Sequence, residues 1–218
     1  MDWFQQFDGY CERTDLTYLS EPINAVTNLA FIVAVLIMWR LVGQNFRAGI
    51  LCVILLLIGS GSYLFHTHAT VWAGLADVAP IGAFILFYLY LVNRDLLGWP
   101  LWAALLGTIA FLPYAAAVTT IAQALPFFVI SSFYWTVPLL LLIYAAALRK
   151  NRPRLARGFL VGAVILSISI TFRSLDEILC DTIPFGTHFL WHCLNAVMLA
   201  YMIHVYARHV LADRPQPR

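Results

Sequence analysis

Residues 187–209 read THFLWHCLNAVMLAYMIHVYARH. The stretch is long and apolar enough to cross a bilayer as one helix, which takes about 20 residues. It opens on two histidines four apart, His188 and His192. On a helix that spacing puts both imidazoles on one face, one turn apart, as a two-point metal grip. Polar groups that titrate are costly in or near a membrane core, so where they occur they mark function.

Working outward, the rest of the chain is of the same kind. Of its 218 residues, 62% are hydrophobic and only 11% charged. Apolar runs recur at about 24–42, 48–66, 71–93, 101–118, 126–148, 157–175 and 187–209. The expected fold is an all-α membrane protein, a seven-transmembrane helix bundle forming a single integral domain over residues 1–218. Residues 1–23 make an outer N-terminal segment, 24–209 the bundle, and 210–218 a frayed inner tail. The count falls to six if the run near Pro126 is re-entrant. The first 23 residues lack the basic start and apolar stretch of a signal peptide and read as a mature, structured segment. Ser20-Glu21-Pro22 reads as a helix start, with Ser20 as N-cap and Pro22 in the first turn.

Charge fixes the expected orientation. If the runs alternate across the bilayer, only Arg13 and Arg173 of the thirteen Lys and Arg fall on one side. Every one of the eleven acids except Asp95 and Asp213 falls on that same side. Positive charge marks the cytoplasmic face, so the N-terminus is outside and the C-terminus inside. An odd number of crossings preserves this asymmetry. The net charge of +2 gives no sign of a nucleic-acid partner. The basic stretch Arg149–Arg157 reads as an inner loop, or as a patch for lipid headgroups. Cys52 and Cys193 fall within spans and read as packing residues. Cys11 and Cys180 fall in outer segments, where a disulfide persists; a bridge and two free thiols are both open on this ground.

Helix counting brings His66 and Asp77 to the same outer side as His188 and His192. His66 ends the second span, with Ser62 one turn below it on the same face. Asp77 opens the third span, either as a helix cap or as a general base. Three imidazoles with a nearby carboxylate suggest a catalytic zinc site with water as the fourth ligand. Ser62 reads either as a catalytic hydroxyl or as a donor to its own helix backbone. His68 reads as a surface histidine. Arg173 and Asp176, one turn apart, read as a pair, with Asp176 alternatively orienting a metal histidine. Asp8, Glu12, Asp15 and Glu21 form an oxygen-rich cluster, which is either a solvated acidic segment or a calcium site. Pro80, Pro113, Pro126 and Pro138 lie in or beside spans and receive no catalytic role.

Several motifs occur in order: Tyr10-Cys11-Glu12, Glu21-Pro22-Ile23-Asn24-Ala25-Val26-Thr27-Asn28, Gly61-Ser62 through His66, Asp77 to Pro80, Asp176 to Cys180, and His188 to His192. Over about residues 9–205 the chain resembles the alkaline ceramidase family of seven-span membrane hydrolases, related to the adiponectin receptors. The most specific signals are the Ser-x3-His-x10-Asp spacing at Ser62, His66 and Asp77, and the late HxxxH. The resemblance implies zinc held by His66, His188 and His192, with Asp77 and Ser62 in the catalytic site. It implies a Cys11–Cys180 disulfide. It also implies calcium at Glu12 and Glu21, with Asp8 or Asp15 compensating for Gly9 and Tyr10, which stand where the family has Asp and Trp.

The expected activity is zinc-dependent hydrolysis of the amide of ceramide or a related N-acyl lipid, on the outer side of the membrane. No obligate protein partner is implied. Two alternatives are a lipid receptor or sensor with weak hydrolase activity, and a zinc hydrolase of another amide or ester lipid. A retinal protein is excluded, because the only lysine, Lys150, lies in a loop rather than a span. A haem or quinone carrier would place its histidines deeper and on different helices.

Overall fold

The computed structural model describes residues 2–7 and 9–212. Among these the chain is helical with no strand, and one isolated bridge joins Gln6 to Thr70. Helices α1 (Pro22–Thr27) and α2 (Leu29–Leu41) form one apolar run, broken at Asn28. Helix α3 (Phe46–His68) starts at Asn45, whose side chain accepts from Ala48 N at 3.1 Å. Helix α4 (Val71–Leu91) continues as a π-helical turn, Val92–Leu96. Helices α5 (Leu101–Ile109) and α6 (Phe111–Gln123) make another continuous apolar run. Helices α7 (Thr136–Leu148), α8 (Pro153–Leu175) and α9 (His188–Ala212) complete the bundle.

Six of these helical runs are long and apolar enough to cross a membrane. They carry leucine and valine on exposed faces, as at Leu29, Val33, Leu36 and Leu57, where lipid replaces water as the solvent. The run expected at 126–148 is different. It is helical only from Thr136, and α7 has 13 residues. At 1.5 Å per residue that is about 20 Å, against a hydrocarbon core of about 30 Å. The preceding residues 125–135 are turns, following Pro126, which has no amide hydrogen to continue a helix. Their polar groups find side-chain partners instead: Ser131 Oγ meets Ser174 Oγ at 2.9 Å and accepts from Arg173 Nη1 at 3.0 Å.

Two corrections concern helix starts. Ser20 is not the cap of α1; its hydroxyl accepts from Thr14 N and Asp15 N, at 3.1 Å each. The N-cap position is Glu21, and the free amides of Ile23 and Asn24 donate instead to the Glu12 carboxylate, at 2.6 and 2.8 Å. Asp77 is not a cap either. Helix α4 begins at Val71 after Thr70, so Asp77 lies well inside it. At the far end, α9 runs on to Ala212, and the rest of the expected tail, residues 213–218, lies outside the described residues.

The two ends of the bundle are chemically unlike. Away from the histidines, Arg47 pairs with Asp95, Tyr206 Oη donates to Asp95 Oδ2 at 2.6 Å, and Arg152 bonds the Leu96 carbonyl. Between the ends lies an apolar core that includes Phe31, Leu51, Leu55, Ile58, Phe159 and Ile203. Cys52 is fully buried in it, and Cys193 is half-buried; both are free thiols.

One close helix crossing matters for the site. A Cβ on Gly61 would lie 2.0 Å from the carbonyl oxygen of Ala76 and 3.1 Å from Asp77 N. Pro80, four residues on, has no amide hydrogen to bond that carbonyl. The freed carbonyl of α4 faces the glycine of α3, and the approach brings Asp77 against the face that carries Ser62 and His66. Gly61→Ala must push the helices apart, at an expected cost of about 1–3 kcal/mol. A thermal melt of the purified protein measures it; an unchanged melt would show that the crossing tolerates a methyl group.

Candidate active site

His66, His188 and His192 come together at one end of the bundle. His66 lies in the last turn of α3, and the other two lie in the first two turns of α9. All three are buried, at 1–2% exposure. Their ring centroids are 5.1, 4.6 and 4.7 Å apart, and one ring nitrogen from each lies within 4.8 Å of the others. Among the described residues this is the one group of three or more His, Cys, Asp or Glu side chains so arranged.

Each imidazole is held from behind. Glu21 Oε2 lies 2.6 Å from His66 Nδ1, an ion pair or hydrogen bond that leaves Nε2 free. Burial pushes the Glu21 carboxyl up, but the hydrogen bonds from His66, Arg13 and Asn24 outweigh it and hold the group below the usual carboxylate range. His192 Nδ1 lies 3.0 Å from Thr27 Oγ1. The Thr27 hydroxyl has a single proton, and carbonyl oxygens of Ile23 and Asn24 lie at 2.8 and 3.0 Å to take it. Thr27 therefore accepts from His192 Nδ1, and the lone pair is on Nε2. His188 is held by its backbone, whose N–H donates to Asp176 Oδ1 at 2.8 Å, and by the Tyr10 ring, 3.8 Å away between centroids.

This leaves His192 Nε2 and His188 Nδ1 buried without any partner. An unsatisfied buried polar atom costs about 1–3 kcal/mol, and two in one pocket need an explanation. Nitrogen ligands at mutual reach, each with a partner fixing its orientation, are what a zinc-type ion requires. The donor set fits a divalent metal.

Ser62 is buried one turn below His66, and its hydroxyl lies beside the half-buried Asp77 carboxylate. One turn deeper than Ser62 and His192, Ile58 of α3 and Asn195 of α9 line an apolar pocket shared with Trp191, Phe84, Tyr88 and Met198.

The disulfide is formed: Cys11 and Cys180 have sulfurs 1.98 Å apart. It ties the N-terminal segment to the turn before α9. Asp176, buried at 1% exposure, works beside it. One oxygen accepts from Thr187 N and His188 N at 2.6 and 2.8 Å, and the other from Cys11 N at 3.1 Å. Gly186 adopts φ +63°, and a Cβ there would lie 2.0 Å from Asp176 Oδ1. Asp176 thus sets the position of one of the three grouped histidines, and the expected pair with Arg173 is absent among the described residues. Arg173 turns the other way, over the rings of Tyr134 and Trp191 at 5.0 and 5.9 Å.

Three of the four acidic residues expected to hold calcium have protein partners. Glu12 caps α1, Glu21 serves His66, and Asp15 Oδ1 accepts from Thr17 N and Oγ1 at 2.8 and 2.6 Å. Asp8 lies outside the described residues. His68 is half-buried between Tyr18 and Trp72 rather than free at the surface. Sequence reading missed Thr27, Tyr10 and Arg13 as neighbours of the histidines. Thr27 and Tyr10 sit inside the motifs quoted above, which was the available signal.

A search of curated proteins returns no match. A family model described as Ceramidase matches residues 9–217, nearly the whole chain, and that span takes in the three histidines, Ser62, Asp77 and both bridged cysteines. The chain belongs to the ceramidase family.

Proposed function

We propose that the protein hydrolyses the amide bond of ceramide or a related N-acyl lipid, with a zinc ion held by His66, His188 and His192. The observation that carries this reading is a buried three-histidine group, two of whose ring nitrogens have no partner, beside a carboxylate and a hydroxyl. Zinc, when bound, supplies a Lewis acid that makes water acidic near neutral pH and polarises a carbonyl.

The chain's own groups do the rest. Asp77 takes a proton from water as the oxygen adds to the amide carbon, and then delivers it to the departing nitrogen. Water is consumed, the C–N bond breaks, and a fatty acid and an amine leave. Ser62 donates to the carbonyl oxygen as it gains charge, a contribution of about 2–4 kcal/mol for a typical donor of this kind. The pocket below Trp191 suits one hydrocarbon chain of the substrate, because its walls are almost wholly apolar.

Seven crossings are the reading that joins the site to the membrane. Ser131 packs on Ser174 at the histidine end, whereas Arg152 bonds Leu96 at the other. The chain between them, turns followed by α7, travels the depth of the bundle. The basic residues then cluster opposite the histidines, which supports a site on the non-cytoplasmic side with the C-terminus inside.

The test is a hydrolysis panel with purified protein of measured metal content, using ceramides, other N-acyl amines and ester lipids. Fatty acid release from an amide lipid, rising in proportion to bound zinc, is the expected result. Equal release by metal-free protein, or full zinc occupancy with no amide cleaved, would overturn the proposal.

A further inference from the structure

Arg13 is a buried cation beside His66. Its side chain is 1% exposed, and its hydrogen-bond partners are one carboxylate and three carbonyls. Nε donates to Glu21 Oε1 at 2.6 Å. Nη1 donates to the carbonyls of Asp15 and Thr17 at 3.2 and 3.4 Å. Nη2 donates to the carbonyl of His66 at 3.0 Å. One carboxylate and three carbonyls, drawn from three stretches of chain, surround one positive charge. That is the kind of oxygen shell a hard divalent cation collects. The occupant is instead a guanidinium, which cannot dissociate and does not lose its charge.

The other carboxylates nearby are already engaged. Glu12 binds the start of α1 and Asp15 its own turn, and no three acidic side chains converge among the described residues. The calcium site implied by the family does not fit these residues.

We propose that Arg13 is a positioning residue that stands in place of calcium. Its guanidinium fixes Glu21, Glu21 fixes His66 Nδ1, and the same guanidinium holds the backbone carbonyl of His66. The metal-ligating histidine is thereby gripped at side chain and backbone by one permanent cation, and the protein keeps its zinc without a second ion. The buried Glu21 carboxylate is neutralised at the same stroke, which a dissociable ion would do only when bound.

The inference rests on the zinc reading above, and the experiment separates the two. Full-length protein is loaded with zinc and tested in a zinc-buffered, calcium-depleted medium, then with calcium ions up to about 1 mM, the weak end of natural calcium sites. The wild type is expected to bind no radioactive calcium and to show the same zinc affinity and melting temperature throughout. Arg13→Ala is expected to weaken zinc retention about 10- to 100-fold, the usual effect of losing a group that orients a metal ligand. Arg13→Lys keeps the charge without the fork and should fall between. Because Arg13 acts through Glu21, the double variant Arg13→Ala/Glu21→Gln should lose less zinc affinity than the product of the two single losses; a loss equal to the full product would overturn the proposal. Stoichiometric calcium binding by the wild type, a calcium-dependent rise in its zinc affinity, or an Arg13→Ala protein that keeps zinc like the wild type would each overturn the proposal. If Arg13→Ala does not fold, the wild-type calcium titration still decides. A wild type that holds no zinc at all sinks the earlier reading instead.

Discussion

His188→Ala should empty the site of zinc and reduce amide hydrolysis by about a thousandfold or more. Loss of the metal removes several kcal/mol of stabilisation of the transition state, and about 4 kcal/mol is already a factor of about 1,000. The variant is a clean one, because the fold does not depend on the ring. The start of α9 is held through the backbone N–H of residue 188, which Asp176 binds whatever the side chain. The disulfide and Gly186 that shape the preceding turn are untouched.

Stability gives an independent readout. In the absence of metal the wild type buries two nitrogens without partners, and alanine at 188 removes one of them. The metal-free variant should therefore melt no lower than the metal-free wild type, apart from the packing that the imidazole makes against the Tyr10 ring. The wild type should gain stability as zinc is added, as any protein does with a ligand that binds only its folded state, and the variant should gain little. A His188→Ala protein that retains stoichiometric zinc and near-normal turnover would mean that the three rings meet for another reason.

What the sequence made legible follows from how far apart the cooperating residues lie. The apolar runs are continuous text, and the His188–His192 pair repeats at one helical turn, so both could be read directly. The third histidine, His66, required only that helix ends be assigned to a side. The groups behind the histidines were hidden by distance. Glu21 lies 45 residues from His66, and Thr27 lies 165 residues from His192. Nothing local distinguishes an acid that orients an imidazole from one that holds calcium, and no pattern announces the burial of Arg13 against Glu21. The same holds for Glu12, which does the capping assigned to Ser20 from 11 residues before Ile23. The expected span at 126–148 was composed like a helix but is only partly one, because Pro126 has no amide hydrogen to continue a helix and Ser131 bonds Arg173 and Ser174 across the bundle instead.

Asp77→Asn separates the metal's contribution from the proton's. Asparagine has nearly the shape of aspartate and keeps an oxygen toward Ser62, so α4 should stay against Gly61 and the histidines should stay in place. Asp77 is also not among the three grouped imidazole ligands. Zinc content and melting temperature should therefore match the wild type. Turnover should fall by about 10²–10⁴-fold, the range for removing a general acid–base group, and the loss should appear in kcat more than in KM. The size of the effect has a specific cause. An amide nitrogen leaves poorly unless it is protonated, and an asparagine can neither take the proton from water nor return it. Ester analogues of the same lipid need less help at the leaving group, so the variant should lose less activity on esters than on amides. A variant that falls equally on both substrates would assign Asp77 to activating water alone, and one that loses its zinc would make it a ligand.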